Sequence, residues 1–409
     1  MKRRRDLAIL AVVGLVVFAL TAWAVYTFKS KPYPGANDFY SRWSGVRSFW
    51  VDGLDPYGDE ASLAIQIGIY GRPVEPGEDP GYYAYPMYTT LILAPLGWLP
   101  YPVAEAVWLT LLIALHIGAL FLLLDMVGWR PGPLMLALCL LYAIFFYPAA
   151  RGIVLGQPGV LVYFLEVLAL WAILRGRDGL AGVALAVSTI KPQMGFLLVP
   201  FLLLWGLRAR RWRLVGAFTA VWLGLMAWSF VVLPGWFGEW LAQLAQYPNY
   251  TAIGSPVWVL THIYLPFLDG VGEVGISLLL VGYMLFAWWR VLVKRQEAIF
   301  GWTVALTLTV THLVALRTAT PHYVVFNVPL FFLFAWLAKA APRRGVWGVA
   351  LAQGVLLVGL WALFLSTVQA KFEHPAVYLP LPFGMLIVLL VTRTLWERQA
   401  GLAPVPGGA

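Results

Sequence analysis

Apolar residues run along this chain in long, nearly uninterrupted blocks, separated by short clusters of charge, proline and glycine. The blocks lack both the 3.6-residue stripe of an amphipathic helix and the alternation of a half-buried strand. A helix needs about 20 apolar residues to cross a bilayer, and a barrel strand only about 9–11. Only helices and closed barrels satisfy their own backbone in lipid, and these blocks are too long for barrel strands. The expected fold is therefore an all-α polytopic membrane protein, one integral domain over residues 1–409. Twelve spans are expected: Leu7–Phe28, Pro102–Val127, Pro133–Ala149, Val160–Arg175, Gly179–Ile190, Gln193–Leu207, Leu214–Val232, Val274–Arg290, Ala298–Leu316, Tyr323–Ala338, Val346–Ser366 and Val377–Val391. The two halves flanking Lys191–Pro192 are short, and one broken helix is the alternative there; it would reverse the orientation of everything after it. The first span follows a basic start, but "FKSKPYPG" has no small-residue cleavage site, so a retained anchor is expected rather than a signal peptide.

Composition agrees with this picture. The chain has 409 residues, of which 61% are apolar and 11% charged, with a mean hydropathy of +0.79; a soluble domain carries about 25% charged residues. Cys139 is the single cysteine and cannot form an internal disulfide. The net charge of +9 is spread over connections between spans, which argues against a nucleic-acid partner. With "MKRRR" placed inside, "GWRPG", "RGRDG", "RARRWR", "RVLVKRQE", "KAAPRR" and "RTLWER" fall inside too and hold most of the 28 Lys and Arg, while the alternate connections hold most of the 19 acids. By the positive-inside rule both termini are expected to be cytoplasmic. The outer face then carries a long first loop (residues 29–101), "ARGIVLGQPG", a large second loop (234–273) and "RTATPH"; residues 397–409 read as a flexible cytoplasmic tail.

The first loop collects acids in a chain poor in charge: "GANDFYSRWSGVRSFWVDGLDPYGDE" holds Asp38, Asp52, Asp55, Asp59 and Glu60. "ND" before "FYSRW" is a helix N-cap signal. Asp38 also has the makings of a general base, since an acid partly shielded by Phe39, Tyr40 and Trp43 is suited to accept a proton. Arg42, one turn on, could orient it. The surrounding amphipathic stretch is expected to lie along the membrane surface.

Lys191 lies between two apolar runs on the side where positive charge is scarce. It reads either as a snorkelling boundary lysine or as a cation with a partner, and a phosphate suits an ammonium on a flexible stem. Arg151 and Arg317 sit at comparable outer ends and could join it. His322 starts a late span, and Glu166 lies about two turns into its own. Gln157 and Gln193, at outer helix ends, suit sugar hydroxyls or interface water. Histidines 116, 262, 312, 322 and 374 show no metal-ligand spacing, so no metal or other cofactor is expected. A phosphate-binding glycine loop, a hydrolase order and a nucleotide fold are all missing.

The motifs "NDFYSRW", "DGLDPYG", "YAYPMYTTLILAPLGWLP", "GQPGVLVYFLEVLALWAILRGRDGLAGVALAVSTIKPQ" and "TPHYVVFNVPL" occur in this order. Together they resemble the family 87 glycosyltransferases, multi-pass enzymes of the GT-C class. The resemblance implies transfer of a sugar, mannose or arabinofuranose, from a polyprenyl-phosphate donor to a glycolipid or glycan acceptor on the outer face. It implies Asp38 as the base, Lys191 near the donor phosphate and His322 at the late-helix histidine. Family members often carry a doubled histidine there, and here Pro321 precedes a single His322. Arg317 and Arg151 complete the expected phosphate set, and Arg42, Asp55, Tyr57, Gln157 and Gln193 the expected substrate-binding side chains. A transporter or flippase would instead place coupling charges deep in several spans, where Glu166 is the main candidate. A structural membrane partner would explain neither Lys191 nor the acidic loop. A transferase moving whole oligosaccharides is the related alternative.

Overall fold

The computed structural model describes residues 2–33, 38–250, 253–341, 344–369 and 373–398, without the side chains of residues 2–5, 7–8 and 247. The expected N-cap Asn37 and most of the expected tail, from residue 399 on, lie outside the described residues. Among the described residues regular structure is helical, with no sheet.

Eight of the described helices are long and apolar enough to cross a membrane: Ile9–Ser30, Tyr101–Met126, Trp212–Val232, Asp269–Leu292, Glu297–Val314, Thr320–Ala340, Arg344–Thr367 and Pro375–Arg398. A ninth arises if Pro133–Phe145 and Tyr147–Val154, bent by 53°, count as one span. The expected twelve is thus too many. Gly159–Leu174, Asp178–Ser188 and Leu198–Arg208 are apolar but short. Eleven residues of helix rise only about 16 Å, against a hydrocarbon core of about 30 Å. The cause is Pro192, which clashes with a helical residue before it. Lys191 adopts φ −130°, ψ 76°, and residues 189–197, with the turn Pro192–Gly195 among them, separate the two short helices. Phe146, at ψ 120°, ends a helix in the same way ahead of Tyr147–Pro148. The span expected at Val274 begins earlier, at Asp269. Leu10, Leu15, Leu278 and Leu279 are two-thirds or more exposed, a distribution suited to lipid. The chain is a multi-pass membrane protein.

The chain divides into two compact units, Met1–Leu115 with Ile153–Pro158 and Met226–Tyr250, and His116–Gly152 with Gly159–Leu225 and Thr251–Ala409. In the first unit the helix Asp38–Trp50 does not rest on its own amphipathicity. It packs against Asp59–Tyr70 and Ala94–Gly97, burying Phe39, Val46 and the small residues Ser41, Ser44, Gly45 and Ser48. A Cβ at Gly45 would run into the Tyr83 ring. The indole of Trp43 donates to the carbonyls of Leu96 and Leu99, both at 3.1 Å, and that of Trp50 to Thr90 at 2.9 Å.

The second unit is built around Phe300–Val314, whose residues Trp302–Leu313 are all buried. Its threonines return their hydroxyls to carbonyls one turn back, Thr307 to Thr303 and Thr311 to Thr307, both at 2.7 Å. That is how a hydroxyl is satisfied without water. Gly159–Leu174 pairs with Asp178–Ser188 in the same unit. Gly182 lets the latter meet the Leu214–Phe218 backbone: a Cβ there would strike the Leu214 carbonyl and lie 2.7 Å from the Phe218 nitrogen.

Since backbone cannot yield as a flexible side chain can, Gly182→Ala should cost about 1–3 kcal/mol. It should lower the melting temperature in detergent, whereas Gly179→Ala, with nothing within 4 Å of its Cβ, should leave melting unchanged.

Candidate functional site

The first unit holds an acid-centred cluster. Asp38 opens its helix, and the turn Leu155–Pro158 closes over it. The Phe39 amide donates to the Leu155 carbonyl at 3.2 Å, and the Gln157 amide nitrogen donates to Asp38 Oδ2. Gly156 takes φ +65°, and a Cβ there would lie 2.6 Å from Phe39 Cβ; glycine is what allows this approach. The Trp108 indole holds the Gly156 carbonyl at 2.8 Å, and its ring stacks on Phe39 with centroids 5.4 Å apart. Among the described residues no other side chain bonds the Asp38 carboxylate. Arg42 reaches Asp38 through the main-chain carbonyl. It also donates to Tyr85 Oη at 3.2 Å, with its guanidinium 4.9 Å from that ring's centroid.

Asp55 and Tyr57 belong to the same unit. Asp55 Oδ1 accepts the Tyr57 amide at 2.8 Å, turning the chain at "DPY". Tyr57 is buried and donates its hydroxyl to the Tyr85 carbonyl at 2.5 Å. Gln243 ties this arrangement down, donating to the Tyr57 carbonyl at 3.1 Å and accepting from the Ala84 amide at 3.0 Å. Two acids not singled out from the sequence lie here. Asp79, crowded by protein although its residue reaches solvent, has its pKa raised by desolvation. The Gly81 amide and Arg42 oppose that rise, and Asp38 adds to it. Glu239 is raised by desolvation, then by the charge of Asp55 and a hydrogen bond with it.

The second unit holds the basic side chains expected from the sequence. Lys191 is 3% exposed and precedes the turn Pro192–Gly195, with Gln193 half-buried beside it. His322 is equally buried. Its Nδ1 accepts the Ala319 amide at 3.3 Å, which leaves the proton of a neutral ring on Nε2, as a donor. Gly159 brings these elements together: a Cβ there would meet Met194 Sδ at 3.2 Å and His322 Cδ2 at 3.4 Å. Arg317 is half-buried close by in sequence. Glu166 is 1% exposed, with no hydrogen bond to either carboxylate oxygen among the described residues, and Oε1 lies 3.3 Å from the Cβ position of Gly195.

Arg151 has a partner that the sequence did not reveal. Its Nε donates to Glu373 Oε1 at 3.1 Å. Glu373 also accepts from Tyr147 Oη and from Thr320 Oγ1, at 2.8 Å to Oε1 and 2.9 Å to Oε2. This carboxylate ties the helix of Arg151 to the turn that carries His322. Its sequence signal was an acid and a histidine before Pro375, between two apolar runs on the expected outer side. Among the described residues no three His, Cys, Asp or Glu side chains form a metal-ligand group.

Comparison with known proteins gives one match. The model of glycosyltransferase family 87 covers residues 83–316. Arg151, Gln157, Lys191 and Gln193 fall inside that span, whereas Asp38, Arg42, Arg317, His322 and Glu373 fall outside it. No curated protein and no solved structure matches.

The Asp55–Glu239 contact has a pH signature. Glu239 holds its proton more tightly folded than unfolded, so its contribution to stability is lost as pH rises from about 4.5 through the raised value. Glu239→Gln keeps a donor for Asp55 and cannot ionise. Its melting temperature should modestly exceed that of the wild type at pH 8, and the two should coincide at pH 4.

Proposed function

The chain belongs to glycosyltransferase family 87, and from this membership we propose that it moves a single sugar, mannose, from a polyprenyl-phosphate donor to a glycolipid or glycan acceptor. The observation that carries the reading is the Asp38 carboxylate, held at Oδ2 by Gln157, with no second side-chain bond among the described residues. In this mechanism Asp38 takes the proton of an acceptor hydroxyl. The oxygen attacks the anomeric carbon as the bond from that carbon to the phosphate oxygen breaks on the opposite face. Configuration inverts, and the polyprenyl phosphate leaves with the electron pair.

Lys191, Arg317, His322 and Arg151 carry the second role, stabilising charge that grows on the departing phosphate. Three of them are cations, and His322 adds a ring N–H. Arg42, Asp55, Tyr57, Gln157 and Gln193 serve the substrate side. Tyr57 and Gln157 do so by shaping the site, since both are buried and engaged with protein. A phosphate on a prenyl chain is a competent leaving group, so the proposed step needs no metal. The basic start "MKRRR" and the acid-rich first loop support a cytoplasmic N-terminus and an outward-facing site.

In a transfer assay from labelled polyprenyl-phosphate mannose to membrane glycolipid, Asp38→Asn should lower turnover by roughly 10²–10⁴-fold with donor binding retained. Lys191→Met should instead weaken donor binding. Full turnover by Asp38→Asn in a normally folded protein would remove the base assignment. A periplasmic-type reporter fused after Gly235 should read as external, and a cytoplasmic reading would invert the topology.

A further inference from the structure

Among the described residues Arg151 is held at one nitrogen only. Glu373 takes Nε at 3.1 Å, and the guanidinium lies 5.3 Å from the Phe364 ring centroid, so its plane is fixed from two directions. Among the described residues the two terminal nitrogens have no hydrogen-bond partner. Arginine–carboxylate pairs are frequently bidentate; here Nε alone engages Glu373 among the described residues, and the terminal edge is left open. The carboxylate, 8% exposed at its side chain, is fixed in turn by Tyr147 and by both bonds from Thr320.

We propose that Glu373 is a positioning residue for sugar transfer: it locks Arg151 through Nε so that the two terminal nitrogens form a pre-set fork for the phosphate of the lipid-linked donor. The proposal rests on the donor-phosphate reading of Arg151 given above. A guanidinium fork matches two phosphate oxygens at once, and an unheld arginine must freeze a long side chain before it can do so. The competing effect is charge: a carboxylate beside the cation weakens its pull on an anion. The two effects predict opposite signs for the same substitution. Glu373→Gln keeps an oxygen that can accept from Thr320 and Tyr147, but replaces the charged acceptor of Nε with a weaker one.

The test is binding of farnesyl phosphate to the purified full-length protein in detergent, with melting temperature measured alongside. Arg151→Gln should weaken binding on the order of tenfold, and Glu373→Gln several-fold, with the double variant no weaker than Arg151→Gln alone. Thr320→Val, which removes one support of the carboxylate but leaves the Nε contact in place, should lose less than Glu373→Gln. Arg151→Lys should bind as poorly as Arg151→Gln, because its ammonium would be taken up by Glu373; this arm needs no substitution at Glu373. Tighter binding by Glu373→Gln would mean that charge cancellation dominates, and would overturn the proposal. So would additive losses in the double variant, rescue by Arg151→Lys, or a loss in Thr320→Val as large as that in Glu373→Gln. If Arg151→Gln weakens binding and Glu373→Gln does not, the positioning role alone falls. If Arg151→Gln binds normally, the phosphate role of Arg151 falls with it.

Discussion

In a chain whose surroundings offer its amides no water, every departure from the helix must be compensated by protein. That constraint decides where polar side chains can exist. Five of the departures here occur at prolines: Phe146 before Tyr147–Pro148, Gln157 before Pro158, Lys191 before Pro192, Thr320 before Pro321 and His374 before Pro375. Each proline ends or restarts a helix, leaving a polar side chain beside a turn whose backbone groups need partners. His322 meets the Ala319 amide and His374 the Ala376 amide at 3.2 Å. The candidate residues of the second unit are therefore not scattered through apolar helices. They collect where the backbone already had to break.

The same reasoning explains what the sequence disclosed. Helicity and membrane residence follow from composition and run length, which are local, and both are present in the structure. The number of crossings does not follow, because an apolar run records what a segment can face, not how far it stays straight. Lys191–Pro192 was visible in the sequence, but the alternatives weighed there were two crossings or one broken helix. The structure has two helices of 11 residues separated by a turn. Asp38 and Lys191 stood out as charges in apolar surroundings. Their neighbours did not: Gln157 meets Asp38 across 119 positions and Glu373 meets Arg151 across 222, and no periodicity encodes such a pairing.

The opposite treatment of two acids shows what burial requires. Glu373 accepts from a guanidinium and two hydroxyls, so each bond delocalises its charge and each donor gains a fixed acceptor. Glu166 has none of these, yet lies against Gly195, one helical turn from Lys191. Leaving a buried carboxyl unbonded is costly. Glycine at 195 keeps the space beside that carboxyl open: any side chain there would begin 3.3 Å from Oε1. The turn after Lys191 thus combines a buried cation, an unsatisfied acid and a residue without a side chain.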